Sequence, residues 1–224
     1  MTGNYNARGT MPDDLTTPEP TEESAEERLD PELRARRDAA LRLVRQFGDP
    51  VLKSRALPVA RFDDTLVREV GRMGQVMHDS LGIGLAATQV GVMHRVLVYR
   101  VEPDTAVAAV VNPELEWASA EREVLDEGCL SLPGVLVEVE RPIHVRVRAQ
   151  DEHGEKLLIE ASGLEARVLQ HEMDHLDGVL ILDRTSRDQR KKAMRALREA
   201  ERSGRGDAGE APANGADARL RATA

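Results

Sequence analysis

A single cysteine, Cys129, is all the thiol this chain has, so no intramolecular disulfide framework can form and a reducing compartment is the natural setting. No apolar run approaches the length that crosses a bilayer, and residues 1–10 lack the apolar core of a secretory signal. These absences predict a cytoplasmic protein with no membrane partner. Positive charge is also in deficit, with 31 Lys and Arg against 40 Asp and Glu and a formal net charge of -9. Displacing counterions from DNA through bulk charge needs a positive surface, so DNA is excluded and any basic contact has to be local. Histidine is scarce, 6 in all, yet two of them stand four residues apart.

That pair lies in Gln170-His171-Glu172-Met173-Asp174-His175, inside an amphipathic run. On an α-helix, positions four apart share a face, so His171 and His175 can point at one divalent ion. Glu172 then lies beside it, where a carboxylate can take a proton from water without being a ligand. Catalytic sites of this type hold three protein donors and keep a position open, so the chain must supply one more. His78 falls on an expected helix, His94 at a strand start, His144 on the wet face of a strand and His153 in a turn. Surface or structural roles suit all four. Cys129 sits in Glu127-Gly128-Cys129-Leu130-Ser131-Leu132-Pro133-Gly134, where small residues and a proline fix the backbone. A lone cysteine is commonly a small buried hydrophobe, but a two-histidine site without a third donor reverses that preference. A Cys-His-His set with one open position suits a borderline or soft divalent metal.

The length suits one domain with tails. Residues 1–30 are acidic and poor in large apolar side chains, which predicts a disordered extension. The catalytic domain is expected over 31–202 and a disordered, Gly- and Ala-rich tail over 203–224. A helix is expected over 31–45, interrupted by Phe47-Gly48-Asp49-Pro50. A second is capped by Asp63 or Asp64, carries Leu66, Val70, Met73 and Met77 on one face, and ends at Gly82. The stretch Gly82-Ile83-Gly84-Leu85-Ala86-Ala87-Thr88-Gln89-Val90-Gly91 reads as tight backbone. Strands are expected at 95–101, at 106–111 with Asn112-Pro113 as the stop, at 123–130, around Ile143, Val145 and Val147, and at 156–161. The histidine helix covers 164–176 and a basic helix 186–202. Without a regular strand-helix alternation, the fold class is α+β: antiparallel β-sheets packed around a central metal-binding helix, with a C-terminal helix.

Taken together and in order, Gly82-Ile83-Gly84-Leu85-Ala86-Ala87-Thr88-Gln89, Glu127-Gly128-Cys129-Leu130-Ser131 and Gln170-His171-Glu172-Met173-Asp174-His175 closely resemble the three signature motifs of bacterial peptide deformylase. Phe47-Gly48-Asp49-Pro50-Val51-Leu52 and Asn112-Pro113-Glu114-Leu115 also look like the family, so the resemblance covers about residues 45–200. It implies a metal-dependent amide hydrolase that removes the formyl group from the N-formyl-methionyl end of new proteins and releases formate. It further implies that Cys129, His171 and His175 bind one divalent ion and that Glu172 is the general base and acid. The Gln89 side-chain amide and the Leu130 backbone N–H would face the oxyanion, with Ile83, Gly84 and Gly128 meeting the substrate. Val168 and Leu169 are expected to help line the methionine pocket. Fe2+ is the expected native ion, although a thiolate with two imidazoles accepts Zn2+, Ni2+ or Co2+ as well.

One departure from the family stands out: where an arginine often follows the cysteine motif, this chain reads Gly134-Val135-Leu136-Val137. Asp174 is either an acceptor that orients a ligand histidine or a solvated helix carboxylate. The basic helix, with Arg190, Lys191, Lys192, Arg195 and Arg198, is either a ribosome contact, as in some relatives, or a solvated face. A metalloprotease shares the His-Glu-x-x-His element but generally takes its third ligand downstream. A structural metal module would be expected to lack the base or to close the fourth position.

Overall fold

The computed structural model describes residues 29–206. Of the disordered segments expected over 1–30 and 203–224, residues 1–28 and 207–224 fall outside the described residues, while Asp30 caps a helix and 203–206 continue the last helix instead of starting a tail. Helix α1 (Pro31–Leu41) starts at Asp30, whose carboxylate accepts the N–H groups of Glu32 at 2.9 Å and Leu33 at 3.4 Å. Pro31 follows at the first helical position, where a missing N–H costs nothing. The helix stops short of residue 45, because the Arg45 N–H donates to the Gln89 carbonyl at 2.7 Å and the chain leaves the helical path. Helix α2 (Asp64–Asp79) is capped by Asp63, which accepts from Thr65 and Leu66, and it buries Leu66, Met73 and Met77.

The end of α2 differs from the expectation. Leu81, not Gly82, takes the left-handed conformation at φ 61°, and the Gly82 N–H returns to the Met77 carbonyl at 2.9 Å. Gly82 sits in a tight place, since a Cβ there would stand 3.0 Å from Leu130 Cδ1 and the leucine side chain would have to shift. The chain then enters β1 (Gly84–Ala86), a single 3-10 turn at Ala87–Val90, β2 (Val96–Tyr99) and β3 (Ala108–Ala118). Strand β3 continues past Asn112-Pro113 instead of ending there. Its register against the neighbouring strand shifts between Val111 and Glu114, which accommodates a proline that has no N–H to give. Asn112, at φ 52°, uses its side chain to accept from Val59 N–H at 2.8 Å and donate to Val59 O at 2.9 Å.

Next come β4 (Arg122–Cys129), β5 (Leu132–Pro142), β6 (His144–Gln150) and β7 (Lys156–Ser162). Strand β5 is an addition to the expected set. Helix α3 (Gly163–Leu176) follows, then a single turn α4 (Ile181–Arg184) and the long α5 (Arg187–Gly206). The strands form a five-stranded antiparallel sheet in the order β1-β2-β3-β6-β7 and a separate β4-β5 hairpin. The α+β arrangement expected from the sequence is the one present.

Strand β2 shows how the layers are built. Val96 and Val98 face α2 with Leu66, Met73 and Met77, while Leu97 and Tyr99 face α3 with Leu169 and Leu176. Successive side chains of a strand point to opposite faces, so a strand covered by helices on both sides reads as an unbroken apolar run. A third cluster joins Leu132, Val135, Val137 and Val139 of β5 to Ile181, Leu182, Ala193 and Leu197. That cluster seats α4 and α5 against the hairpin. Helix α3 is thus held between the large sheet and the hairpin, and its histidine face looks into the space between them. Among the described residues, no helix is long and apolar enough to cross a membrane.

Candidate active site

Helix α3 is buried over most of its length, from Ala166 to Leu176 except for the half-buried His171. Its buried face orients the two histidines, whose ring centroids stand 5.0 Å apart, one turn from each other. Cys129 arrives from the other side at the end of β4, where the β4-β5 pairing slips between Glu127 and Cys129. Leu130 and Ser131 form the turn into β5. The Cys129 Sγ lies 3.2 Å from His175 Nε2, and one donor atom from each of Cys129, His171 and His175 falls within 4.8 Å of the others.

The donor set fits a divalent metal. Its atoms are one thiol sulfur and two imidazole nitrogens, converging from two elements, which suits borderline ions such as Fe2+ or Zn2+. His171 has its Nδ1 committed to Glu127 Oε2 at 3.0 Å, which directs Nε2 toward the cysteine side. Two buried atoms beside the donors have no hydrogen-bond partner among the described residues: His175 Nδ1 and Glu172 Oε2. Burial, followed by the like charges of His171 and Arg141, pushes His175 well below the usual histidine range. Burial also acts downward on His171, but Cys129 and Glu127 outweigh it and push this ring well up.

Glu172 is 4% exposed and packs against β1 so closely that a Cβ at Gly84 would sit 2.4 Å from its Oε1. Only glycine permits that approach. Burial raises the Glu172 carboxyl to about 7, against the opposing pull of the His171 and Arg141 charges. A carboxyl in this range can both accept and return a proton near neutrality. Gln89 is 1% exposed, and both ends of its amide are engaged. Its Oε1 accepts from the Ala86 N–H at 2.8 Å, while Nε2 donates to Ser131 Oγ at 3.2 Å and lies 3.8 Å from Cys129 Sγ. The carbonyl end is tied to backbone, so the N–H end is presented to the site.

These groups border a cleft of about 480 Å3 that includes Ile83, Gly84, Gly128, Leu130, Val168 and Glu172. Ile83 is 44% exposed, and Gly128 is exposed, with Leu136 Cδ2 3.3 Å from where a Cβ would stand. Strand β1 is an edge strand, paired only to β2, so its other side faces this cleft. Leu169, expected in the methionine pocket, turns instead into the core against the large sheet. The remaining histidines lie elsewhere: His78 against Arg100, His94 against Glu69, His144 against Ser162 and His153 beside Glu152.

Sequence reasoning overlooked a buried ion network behind the donors. Glu127 holds His171 and accepts from Arg141 Nε at 2.6 Å and Arg167 NH1 at 2.7 Å. Arg141 also donates to Asp174 at 2.9 Å, and Asp174 is held in turn by Arg184. Burial alone would raise the Glu127 carboxyl, yet hydrogen bonds from His171 and Arg141 hold it at about 2. The carboxylate that orients a histidine of the donor set is therefore Glu127, on His171. Asp174 is neither that acceptor nor a solvated carboxylate; it is 8% exposed and serves the arginines. A signal for Arg141 was available in β5, where Val135, Val137, Val139 and Arg141 occupy the same inward-facing alternation. An arginine at an inward position needs a buried anion.

A thiol and two imidazoles converging beside a buried, proton-competent carboxylate define a metal-dependent amide hydrolase. Residues 41–191 match the family model for polypeptide deformylase. A peptide deformylase of Thermotoga neapolitana is 47% identical over 163 residues, covering 73% of this chain and 98% of that protein. One of Acidothermus cellulolyticus is 48% identical over 165 residues, covering 74% and 90%. A crystal structure of a peptide deformylase from Synechococcus elongatus in complex with actinonin superposes with TM-score 0.66 at 40% identity, covering 68% of this chain and 85% of that one. The chain belongs to the polypeptide deformylase family.

Proposed function

We propose that Cys129, His171 and His175 hold the metal ion, that Glu172 carries the proton, and that Gln89 Nε2 and the Leu130 N–H receive the oxyanion. The reaction is hydrolysis of the N-formyl group from the terminal formyl-methionine of newly made proteins, giving formate and a free amine. An ion held by these three residues would supply Lewis acidity to the attacking water and to the formyl carbonyl. Glu172 accepts a proton from the attacking water and returns it to the departing amine, a task that its burial and its unpartnered Oε2 support. Gln89 is held by Ala86 at its carbonyl end and by Ser131 at Nε2, and the N–H that lies 3.8 Å from Cys129 Sγ is the one available to exchange that long contact for the developing charge. Gly84 and Gly128 leave room for the substrate backbone to run along the β1 edge like an added strand, and Ile83 and Val168 offer apolar contact to methionine.

The single observation that carries this reading is the meeting of Glu172, Gln89, Cys129 and His171 at one cleft, with His175 Nε2 buried 3.2 Å from the cysteine sulfur. Its test is formate release from formyl-Met-Ala-Ser by metal-loaded protein against Glu172→Ala. No formate from the wild type would reject it. Fe2+ is the proposed native ion, and metal analysis of protein prepared without oxygen checks that choice against Zn2+, Ni2+ and Co2+.

The proposed setting is the cytoplasm, where a single thiol stays reduced. There the exposed basic residues Arg190, Lys191, Lys192, Arg195 and Arg198 of α5 suit the phosphates of ribosomal RNA near emerging chains. Co-sedimentation with ribosomes should be lost in a chain ending at Arg184. Equal sedimentation of both forms would remove the ribosome from this proposal.

A further inference from the structure

The large sheet has two edges. Its β1 edge borders the cleft, whereas the opposite edge, β7, pairs with β6 alone among the described residues. Bonds at the two ends of the β6-β7 pairing fix where β7 points its backbone: the Gly163 N–H donates to the Ile143 carbonyl at 2.9 Å, and the Asp151 N–H to the Glu155 carbonyl at 2.9 Å. The register between them is unbroken, and in an antiparallel ladder bonded pairs alternate with unbonded ones. Leu157, Ile159 and Ala161 therefore direct their N–H and C=O groups to β6 and their side chains to the core. Lys156, Leu158 and Glu160 direct theirs away from the sheet, with side chains exposed on its outer face.

A free edge is a template for another strand, and charged side chains usually keep one away. Here the charges are opposite in sign and stand equally far on either side of Leu158, which is 61% exposed. Lys156 has no partner among the described residues. Glu160 accepts both Arg146 bonds on Oε1, which leaves Oε2 open.

We propose that β7 is a self-complementary interface through which two copies of this chain join their sheets edge to edge. The strands run antiparallel about a two-fold axis at Leu158. The outward backbone groups of Leu158 bond those of the partner's Leu158, and those of Lys156 bond those of the partner's Glu160. Each Lys156 ammonium then faces the partner's Glu160 carboxylate, and the two leucine side chains cover each other. Moving the axis to Lys156 or to Glu160 would set like charges opposite, so charge and backbone select the same register. The cleft lies at the other edge of the sheet, and the proposal is independent of the reaction assigned to it.

Sedimentation equilibrium of the metal-loaded full chain tests this from about 1 µM to about 500 µM, because one short strand pair gives an interface at the small, weak end of the known range. The average mass should climb from one chain toward two. Leu158→Pro removes an N–H that β6 does not use and should keep the chain single throughout. Lys156→Glu and Glu160→Lys each set like charges opposite at both places and should raise the dissociation constant by about tenfold or more. Mixed in equal amounts, these two variants place acid against base at both places, and the mixture should return to within about threefold of the wild-type constant. A variant that had merely lost its fold could not do so. A wild type that stays single at the highest concentration leaves the edge to water or to a different partner and overturns the proposal. So does a dimer that survives Leu158→Pro, or a mixture of folded variants, checked by circular dichroism, that associates no better than its components.

Discussion

The two sides of helix α3 treat a buried carboxylate in opposite ways. On the hairpin side, Glu127 is met by His171, Arg141 and Arg167, and its carboxyl is held at about 2. On the β1 side, Glu172 is equally buried, has an oxygen without a partner among the described residues, and is raised to about 7. Burial favours the neutral acid in both, so the number of donors decides the outcome. An anion saturated by donors makes a fixed anchor, whereas one left short of them can exchange a proton. The fold thus keeps the anchor, Glu127 on the hairpin, apart from the proposed base, Glu172 beside β1.

The largest effect should come from removing the base. Glu172→Gln keeps the size of the side chain but cannot take a proton, so formate release should fall by about two to four orders of magnitude. Metal content measured on the same sample should stay that of the wild type, because Glu172 is not among the donors. Gln89→Ala should come next, lowering kcat by about two to three orders of magnitude if its Nε2 meets the developing charge. A loss confined to KM would assign Gln89 to substrate binding instead.

Glu127→Gln tests the anchor side of the contrast. It leaves two arginines and His171 with a weaker partner, and metal affinity should drop by about tenfold to a hundredfold. Removing one partner from a buried ion network also costs about 3–5 kcal/mol of stability, readable by denaturant unfolding. Saturating metal should restore turnover to Glu127→Gln but not to Glu172→Gln. If metal rescued both, or neither, the division between anchor and base would collapse.

How much of this was legible in the sequence follows from the range of the interactions. The α3 histidines and base were readable because a four-residue spacing is local and helix geometry converts it directly into a shared face. The α2 cap at Asp63 was readable for the same reason. Strand β5 was not, because Pro133 and Gly134 stand at its start and mask the alternation that follows at Val135, Val137 and Val139. With β5 unseen, Arg141 had no inward direction, and neither Glu127 nor Asp174 had a visible partner. Leu169 shows the converse limit. Its neighbour Val168 borders the cleft, but one step along a helix rotates a side chain by about 100°, and only the placement of the sheet says which residue faces it.

The smallest effect should appear far from the donors, at a carboxylate that resembles Glu127 in its partners but is less buried. Asp183 accepts from Lys53 Nζ at 2.6 Å and from the Leu180 N–H at 2.9 Å. Burial pushes its carboxyl up, but these hydrogen bonds prevail and hold it below the usual aspartate value. A carboxyl lowered in the folded state contributes stability that is present above its unfolded pKa of about 3.9 and is lost as the pH falls through the folded value. In Asp183→Asn, unfolding free energy should therefore match the wild type most closely at the acid end, fall below it as pH rises through the lowered folded value toward 4, and keep that gap above. With the pair about half open to water, the gap near neutrality should stay at about 1 kcal/mol or less. A gap as large as that of Glu127→Gln would mean that partners alone, without burial, set the strength of an anchor in this fold.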